Sequence, residues 1–374
     1  MPSRIKKLNA IAEAKKLDAF LITSAASVKY LSGYFFYFEY GSSPFHFLPA
    51  ALFVMPGKTA SLVIADNELH QSANINTGIS IKPYASYVYE TPLESTKQFL
   101  IQLHEVAKQN GIGNARVGIE QNSFPLAIAQ SLSSQYPKIE FVNIAPEIAH
   151  LRMVKDSDEI ELIRKAASLS DIGQASVLKN AKTGIAELEL FNLVRNDMEA
   201  SVGTRVPLMA DLSSGINTSS GGGMPTNKII NSSDLILSDF TPCLNGYWGD
   251  SCNTIVVGKP AASQKKSFIL VKEALEIGIN AIRPGVQAQE IDKLMRRHIG
   301  NYPHHSGHGV GIMYHEEPRI VPYNKAELVP NMVIALEPAI YEKDFGIRLE
   351  HLVVVTESGC EILTKFEHCF EQCS

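Results

Sequence analysis

Apolar and polar positions divide the chain into two stretches of different rhythm. Over residues 1–150, short apolar runs alternate with helical spacing. Residues 3–16 have the spacing of an amphipathic helix, and 18–23 form a compact apolar strand. Residues 50–55 and 61–65 flank Pro56-Gly57-Lys58 and read as a hairpin. Residues 96–109 predict a helix, and 117–120 and 139–143 further strands, so this stretch is a mixed α/β unit. A boundary is expected at 143–149, around Pro146. Beyond it, 157–179 predicts one long helix, with Ser157 able to cap it and Asp158 and Glu159 at its positive end. Residues 185–202 predict a second helix, and a polar, Gly-rich segment, 213–227, follows. A strand pair, 235–240 and 247–257, is joined by Asn245-Gly246, the strongest short hairpin signal. The order then repeats. Helix 263–282 buries Phe268, Val271, Leu275 and Ile279, Arg283-Pro284-Gly285 breaks it, and helix 287–299 follows. A second strand pair covers 332–341 and 346–356.

Composition narrows the class without naming it. The 374 residues are 45% apolar and 20% charged, with a formal net charge of −5, which suits two domains with sizeable cores. No basic face for nucleic acid is evident, and no run is apolar enough to span a bilayer. The start lacks the uninterrupted apolar core of an export signal, and five cysteines are an odd set, so reduced thiols and a cytoplasmic location are expected. Residues 34–47 carry eight aromatics around Gly41, Ser42, Ser43 and Pro44; such an apolar loop is expected to pack at a subunit interface or over an active site.

The candidate chemistry lies in the repeated stretch. Residues 303–318 hold four of eleven histidines, His304, His305, His308 and His315, with glycines on both sides of His308 that let the backbone bend close to whatever the imidazole holds. A two-residue turn at Asn245-Gly246 places Thr241 opposite Asp250 and Asp239 opposite Cys252. Asp239 and Asp250 are then diagonal neighbours on one face, ~7–8 Å apart. The second strand pair carries Glu337 and Glu350, 98 and 100 residues beyond those two acids. Two helices followed by an acid-bearing hairpin, twice, implies duplicated halves around one cavity. Four converging carboxylates repel by ~4 kcal/mol per close pair at an effective dielectric near 20, so they take up protons or divalent cations. Carboxylates with one imidazole suit Mn²⁺, Co²⁺, Fe²⁺ or Zn²⁺, and this set can hold two ions. Such a pair acidifies a bridging water to a hydroxide nucleophile, which allows amide hydrolysis without a Ser or Cys.

These residues resemble the metal set of the pita-bread metallopeptidases, which include methionine aminopeptidase, aminopeptidase P and prolidase. The matching positions are Asp239, Asp250, His308 in Ser-Gly-His-Gly-Val-Gly, Glu337 in Ala-Leu-Glu-Pro and Glu350 in Gly-Ile-Arg-Leu-Glu. Leu151-Arg152-Met153-Val154-Lys155, followed by Glu159-Ile160, resembles the opening of that domain. The resemblance implies a creatinase-like N-terminal domain, 1–150, and a catalytic α+β pita-bread domain with duplicated halves, 151–374. It implies that Asp250 and Glu350 bridge two divalent ions, Mn²⁺ first among the candidates. Asp239 holds one ion, and His308 and Glu337 hold the other. Glu337 also shuttles the proton, His304 and His315 bind substrate, and Arg348 supports the ligands. The implied activity is hydrolysis of small peptides at bonds involving proline, of Xaa-Pro dipeptidase or aminopeptidase type, by a homodimer. His305 and His298 match nothing in the family and read as structural.

Four positions depart from the family pattern. Gly222 stands where the Xaa-Pro enzymes carry a substrate-contacting His, Cys252-Asn253 replace Thr-Arg, and His351 replaces the usual Asp after the last Glu. The alternatives are a non-peptidase hydrolase or lyase on the same scaffold, which Gly222 favours, and a metal-free binding module, which retention of all five ligands opposes.

Overall fold

A computed structural model describes residues 3–35 and 50–371. Most of the aromatic run, 36–47, lies outside these; Tyr34 is buried, and its hydroxyl hydrogen-bonds the Glu68 carboxylate. The chain forms two compact units, Met1–Arg152 and Met153–Ser374.

In the first unit, α1 (Ser3–Lys15), β1 (Ala19–Ile22) and α2 (Ala25–Ser32) precede β2 (Ala51–Val54), β3 (Ala60–Ala65) and β4 (Ile79–Tyr84). Then come α3 (Ser95–Asn110), β5 (Arg116–Ile119), α4 (Leu126–Gln135), β6 (Glu140–Asn143) and α5 (Ala145–Met153). The strands form one mixed sheet in the order β4-β3-β2-β1-β5-β6. Strands β1, β2 and β3 are buried along their whole length, as their unbroken apolar runs require. Phe99, Leu103 and Val106 of α3 pack with Phe53, Val63 and Val117 in this unit's core. The boundary expected around Pro146 falls on the helix α5, at whose end the two units divide. Proline is tolerated there because a first-turn residue has no intrahelical N–H bond to lose.

The second unit repeats itself. Its first half contains α6 (Ser157–Asn180), α7 (Glu187–Val202), β7 (Leu208–Ser214), a 3₁₀ turn (Gly215–Ser220), β8 (Leu235–Leu244), β9 (Tyr247–Trp248) and β10 (Cys252–Val256). Its second half begins with α8 (Ala262–Ala281) and α9 (Ala288–Ile299). The strands β11 (Gly307–Gly309), β12 (Glu316–Ile320), β13 (Val333–Leu336), β14 (Ala339–Tyr341), β15 (Gly346–Arg348), β16 (His351–Val355) and β17 (Cys360–Ile362) follow. The sheets run β10-β8-β7 and β12-β11-β13-β16-β17. Each half has its own core: Val177, Leu190, Val194 and Phe240 in one, Val271, Leu275, Ile291 and Val353 in the other. The cap of α6 is Asp156 rather than Ser157, and the Glu159 carboxylate accepts from the Asp156 N–H at 2.9 Å.

The Asn245-Gly246 hairpin has the expected register, with Cys252 opposite Asp239. Asn245 and Gly246 both have positive φ, 52° and 80°, which a two-residue turn between right-twisted strands requires. The second hairpin is broken rather than continuous. β13 pairs with β16 and β14 with β15, and the interruption leaves Glu337-Pro338 facing Leu349-Glu350. Both second-half acids therefore sit at the break, where side chains escape the ladder's alternation.

Candidate active site

Proline at 338 cannot donate to a ladder, so β13 ends at Leu336. The Glu337 N–H bonds Ser306 O at 3.0 Å, and the Glu350 N–H reaches into the first half, to Cys252 O, at 2.9 Å. That crossing places Glu350 beside Asp250. Asp250 lies between β9 and β10, where Gly249 N–H still bonds Pro242 O at 2.8 Å and Phe240 N–H bonds Ser251 O at 3.0 Å, and its Oδ1 accepts from Thr241 Oγ1 at 2.9 Å. Asp250, His308 and Glu350 are 4%, 3% and 1% exposed, and their ligand atoms lie within 4.8 Å of one another.

His308 is held by β11, an interior strand of its sheet. The pairing of β11 with β12 shifts register between its flanking glycines. A Cβ at Gly307 would meet Ala335 O at 2.1 Å and one at Gly309 would meet Glu317 O at 2.3 Å. The glycines let β12 and β13 close on both sides of the imidazole. His308 Nδ1 donates to Gly309 O at 3.1 Å, which leaves the Nε2 lone pair directed at Asp250 Oδ2, 3.8 Å away, and Glu337 Oε1, 3.5 Å away.

Arg348 is the buried cation of the basin. Its Nη2 donates to Asp239 Oδ2 at 2.6 Å and to Asp211 Oδ2 at 3.4 Å, and its Nη1 donates to Tyr341 Oη at 3.3 Å. Tyr341 in turn donates to His304 Nε2 at 2.9 Å, because His304 Nδ1 is committed to His305 O at 2.7 Å. His305, expected to be structural, lies inside the site. Its Nε2 is 2.8 Å from Glu337 Oε1, and its ring is 5.5 Å from that of His315, which is exposed at the mouth. His298 lies elsewhere, paired with Glu273 at 2.8 Å. His351 points away, with Nδ1 2.9 Å from Thr364 Oγ1 and its ring 4.2 Å from that of His368. Asp211 and Tyr341 are participants that the sequence reading missed.

A cavity of about 460 Å³ joins these groups. Burial raises Asp239 to about 6, with Glu337 and Asp211 adding to the rise and Arg348 opposing it. Burial also raises Asp250, helped by Asp239, and raises Glu350, helped by Asp250. Burial acts upward on Glu337 too, but the His305 hydrogen bond and the charges of His308 and Arg348 outweigh it and hold Glu337 at about 2. Burial lowers His308 to about 4, which keeps it a neutral donor ligand. Asp239 Oδ1 and Glu350 Oε2 are buried with no hydrogen-bond partner among the described residues. Orphaned carboxylate oxygens beside a neutral imidazole fit divalent cations with oxygen and nitrogen ligands.

These shifts set a pH dependence for metal-free protein. The folded state keeps protons on Asp239, Asp250 and Glu350 to higher pH than the unfolded chain does. The stability this confers is complete below about pH 4 and is lost as pH rises through 6 and beyond. Glu337 has the opposite sign but acts only between about 2 and the ordinary carboxylate range. In chelator, thermal melts are expected to show the midpoint falling from pH 5 to pH 8. The whole shift of Asp239 corresponds to about 3 kcal/mol at 1.36 kcal/mol per pKa unit, and roughly half of it falls between pH 5 and pH 8. Mn²⁺ should restore the midpoint more at pH 8 than at pH 5. A midpoint that rises with pH in chelator would contradict this reading of the basin.

Paired half-domains closed on a buried basin of carboxylates and imidazoles define a metal-dependent hydrolase. The profile of metallopeptidase family M24 matches residues 161–357, and that of the creatinase/prolidase N-terminal domain matches residues 4–154. The chain belongs to metallopeptidase family M24. It is 30% identical over 369 residues to the uncharacterized peptidase YqhT of Bacillus subtilis (strain 168), across 96% of this chain and 97% of that one. It is 28% identical over 374 residues to an Xaa-Pro dipeptidase of Pyrococcus horikoshii, across 98% of each. The crystal structure of an X-Pro aminopeptidase from Thermotoga maritima MSB8 superposes with a TM-score of 0.83 at 25% identity, across 98% of this chain and 99% of that one. Among the described residues, no helix is long and apolar enough to cross a membrane.

Proposed function

We propose that this metallopeptidase is a dinuclear enzyme that hydrolyses peptide bonds involving proline, of Xaa-Pro dipeptidase or aminopeptidase type. The observation that carries the reading is the convergence of Asp239 and Asp250 from one half with His308, Glu337 and Glu350 from the other, two of them with orphaned oxygens. Asp250 and Glu350, the most deeply buried of the carboxylates here, would bridge two ions. Asp239 would hold one, and His308 with Glu337 the other. When bound, the ions supply the Lewis acidity that acidifies a water and polarises the scissile carbonyl. The chain's residues do the rest. Glu337, kept ionised by His305, accepts the proton of the attacking water and passes it to the leaving nitrogen. His315, at the mouth, reaches the substrate. His304 acts through Tyr341 and can present a nitrogen to substrate only by exchanging that bond. Arg348 fixes Asp239 and offsets part of the cost of burying its charge.

Mn²⁺ is the proposed metal; a homodimer and a cytoplasmic location belong to the same proposal, supported by the family resemblance and, for the location, by the odd set of five cysteines. The test is chelation, reloading with Mn²⁺ or Co²⁺, metal analysis, and assay against an Xaa-Pro peptide library. Hydrolysis that follows metal content is expected. Inactivity with two ions bound per chain would defeat the substrate class. A non-peptidase hydrolase or lyase is the second reading. It is favoured by Gly222, whose Cβ position is taken by a carboxylate, and metabolite screening separates the two.

A further inference from the structure

We propose that Asp211 is a specificity-determining residue: it gives the cavity wall a negative charge that selects substrates carrying a cationic group. The proposal rests on the peptidase reading of the same site.

Asp211 lies in the middle of β7, directly opposite Asp239 in the β7–β8 ladder. Two acids facing each other across a ladder repel, and here Arg348 Nη2 lies close to both. The contact is uneven, 2.6 Å to Asp239 and 3.4 Å to Asp211, and the Arg348 side chain is 8% exposed while that of Asp211 is 39% exposed. The guanidinium is thus turned inward, and the carboxylate is the member of the pair presented to the cavity. Uncharged Met209, Ala210, Ser220 and Met224 share the cavity lining with it, and Arg348 is the cation beside it.

The glycine run explains how the carboxylate comes to be there. The Leu212 N–H donates to Gly223 O at 2.9 Å, so Gly221-Gly222-Gly223 lies along β7. A Cβ on Gly222 would stand 2.1 Å from Asp211 Oδ2, and φ at Gly222 is +139°, which disfavours any side chain. A side chain at 222 and the Asp211 carboxylate therefore compete for one space, and in this chain Asp211 holds it. Two divalent ions would neutralise Asp239, Asp250, Glu337 and Glu350 but are not needed to hold Asp211. A substrate ammonium against this wall gains an attraction, and a carboxylate placed there is repelled.

The experiment compares Lys-Pro with norleucine-Pro, which has the same four-carbon chain without the ammonium, on Mn²⁺-loaded protein and on D211N. The native chain is expected to prefer Lys-Pro by about five- to tenfold in kcat/KM, carried by KM, and the preference should shrink from ~0.05 to ~0.5 M NaCl. D211N should bring the ratio to about one. A native ratio near one, a ratio unchanged in D211N, or an equal fall of kcat on both peptides would overturn the proposal; the last would mean that Asp211 serves only to hold Arg348. Calorimetric binding of the same two peptides separates this failure from that of the peptidase reading. Peptides bound with an Asp211-dependent preference but not cleaved would remove the peptidase reading and keep this one. Peptides neither bound nor cleaved would remove both.

Discussion

Glu350→Ala is expected to strip the protein of bound metal and to lower kcat/KM on Xaa-Pro peptides by at least about a thousandfold, a loss of ~4 kcal/mol of transition-state stabilisation. Glu350 is one of the residues through which the second half reaches the first. Its N–H is bonded to Cys252 O, its side chain lies within ligand distance of Asp250 and His308, and its Oε2 has no hydrogen-bond partner. Removal of a proposed bridging carboxylate withdraws a ligand from both ions at once. Stability distinguishes this from misfolding. In chelator at pH 8, Glu350→Ala should be at least as stable as the native chain, because it relieves a buried carboxylate beside Asp250. Elemental analysis after gel filtration, kinetics and thermal melts together decide it. Full metal retention with activity within tenfold of native would refute the assignment.

Lys155→Met is expected to cost about 3–5 kcal/mol of stability, the range for breaking a buried ion pair from one side. Lys155 Nζ is 3.2 Å from Glu316 Oε2, and the two side chains are 1% and 5% exposed. Lys155 also donates to Met153 O at 3.3 Å, and Glu316 Oε1 accepts from the Met313 N–H at 3.1 Å. The pair thus fastens the opening of the second unit to the loop that carries His315. Urea unfolding of the Mn²⁺-loaded protein measures the loss. The double variant Lys155→Met, Glu316→Gln should recover much of it, since no buried carboxylate is then deprived of its lysine. A loss below about 1 kcal/mol would show the pair to be incidental. Activity toward Xaa-Pro peptides should fall as well, because the backbone on both sides of His315 loses its anchor.

The duplicated order of helices and hairpins was legible because periodicity and turn chemistry are local. Asn245-Gly246 alone was enough to set Cys252 opposite Asp239. Asp211 escaped notice because nothing around it in the chain marks it; only the β7–β8 ladder sets it opposite Asp239. His305 escaped because it precedes β11, where no strand period says which way a side chain points. Pro146 marked a boundary but not its local structure, because a proline that ends one element can equally begin a helix, as it does in α5.

The sequence by itself determined the duplicated halves and the candidate acids and imidazoles that they carry. Carboxylates, imidazoles and glycines at fixed offsets are properties of neighbouring residues. Tertiary structure alone decided that Glu350 meets Asp250, that His305 bonds Glu337, and that Asp211 shares Arg348 with Asp239. The physical reason is that most of these contacts join residues tens to a hundred positions apart, or turn on side-chain direction at a strand end. Chain order carries no distance there, and packing of the two halves must bring the groups together.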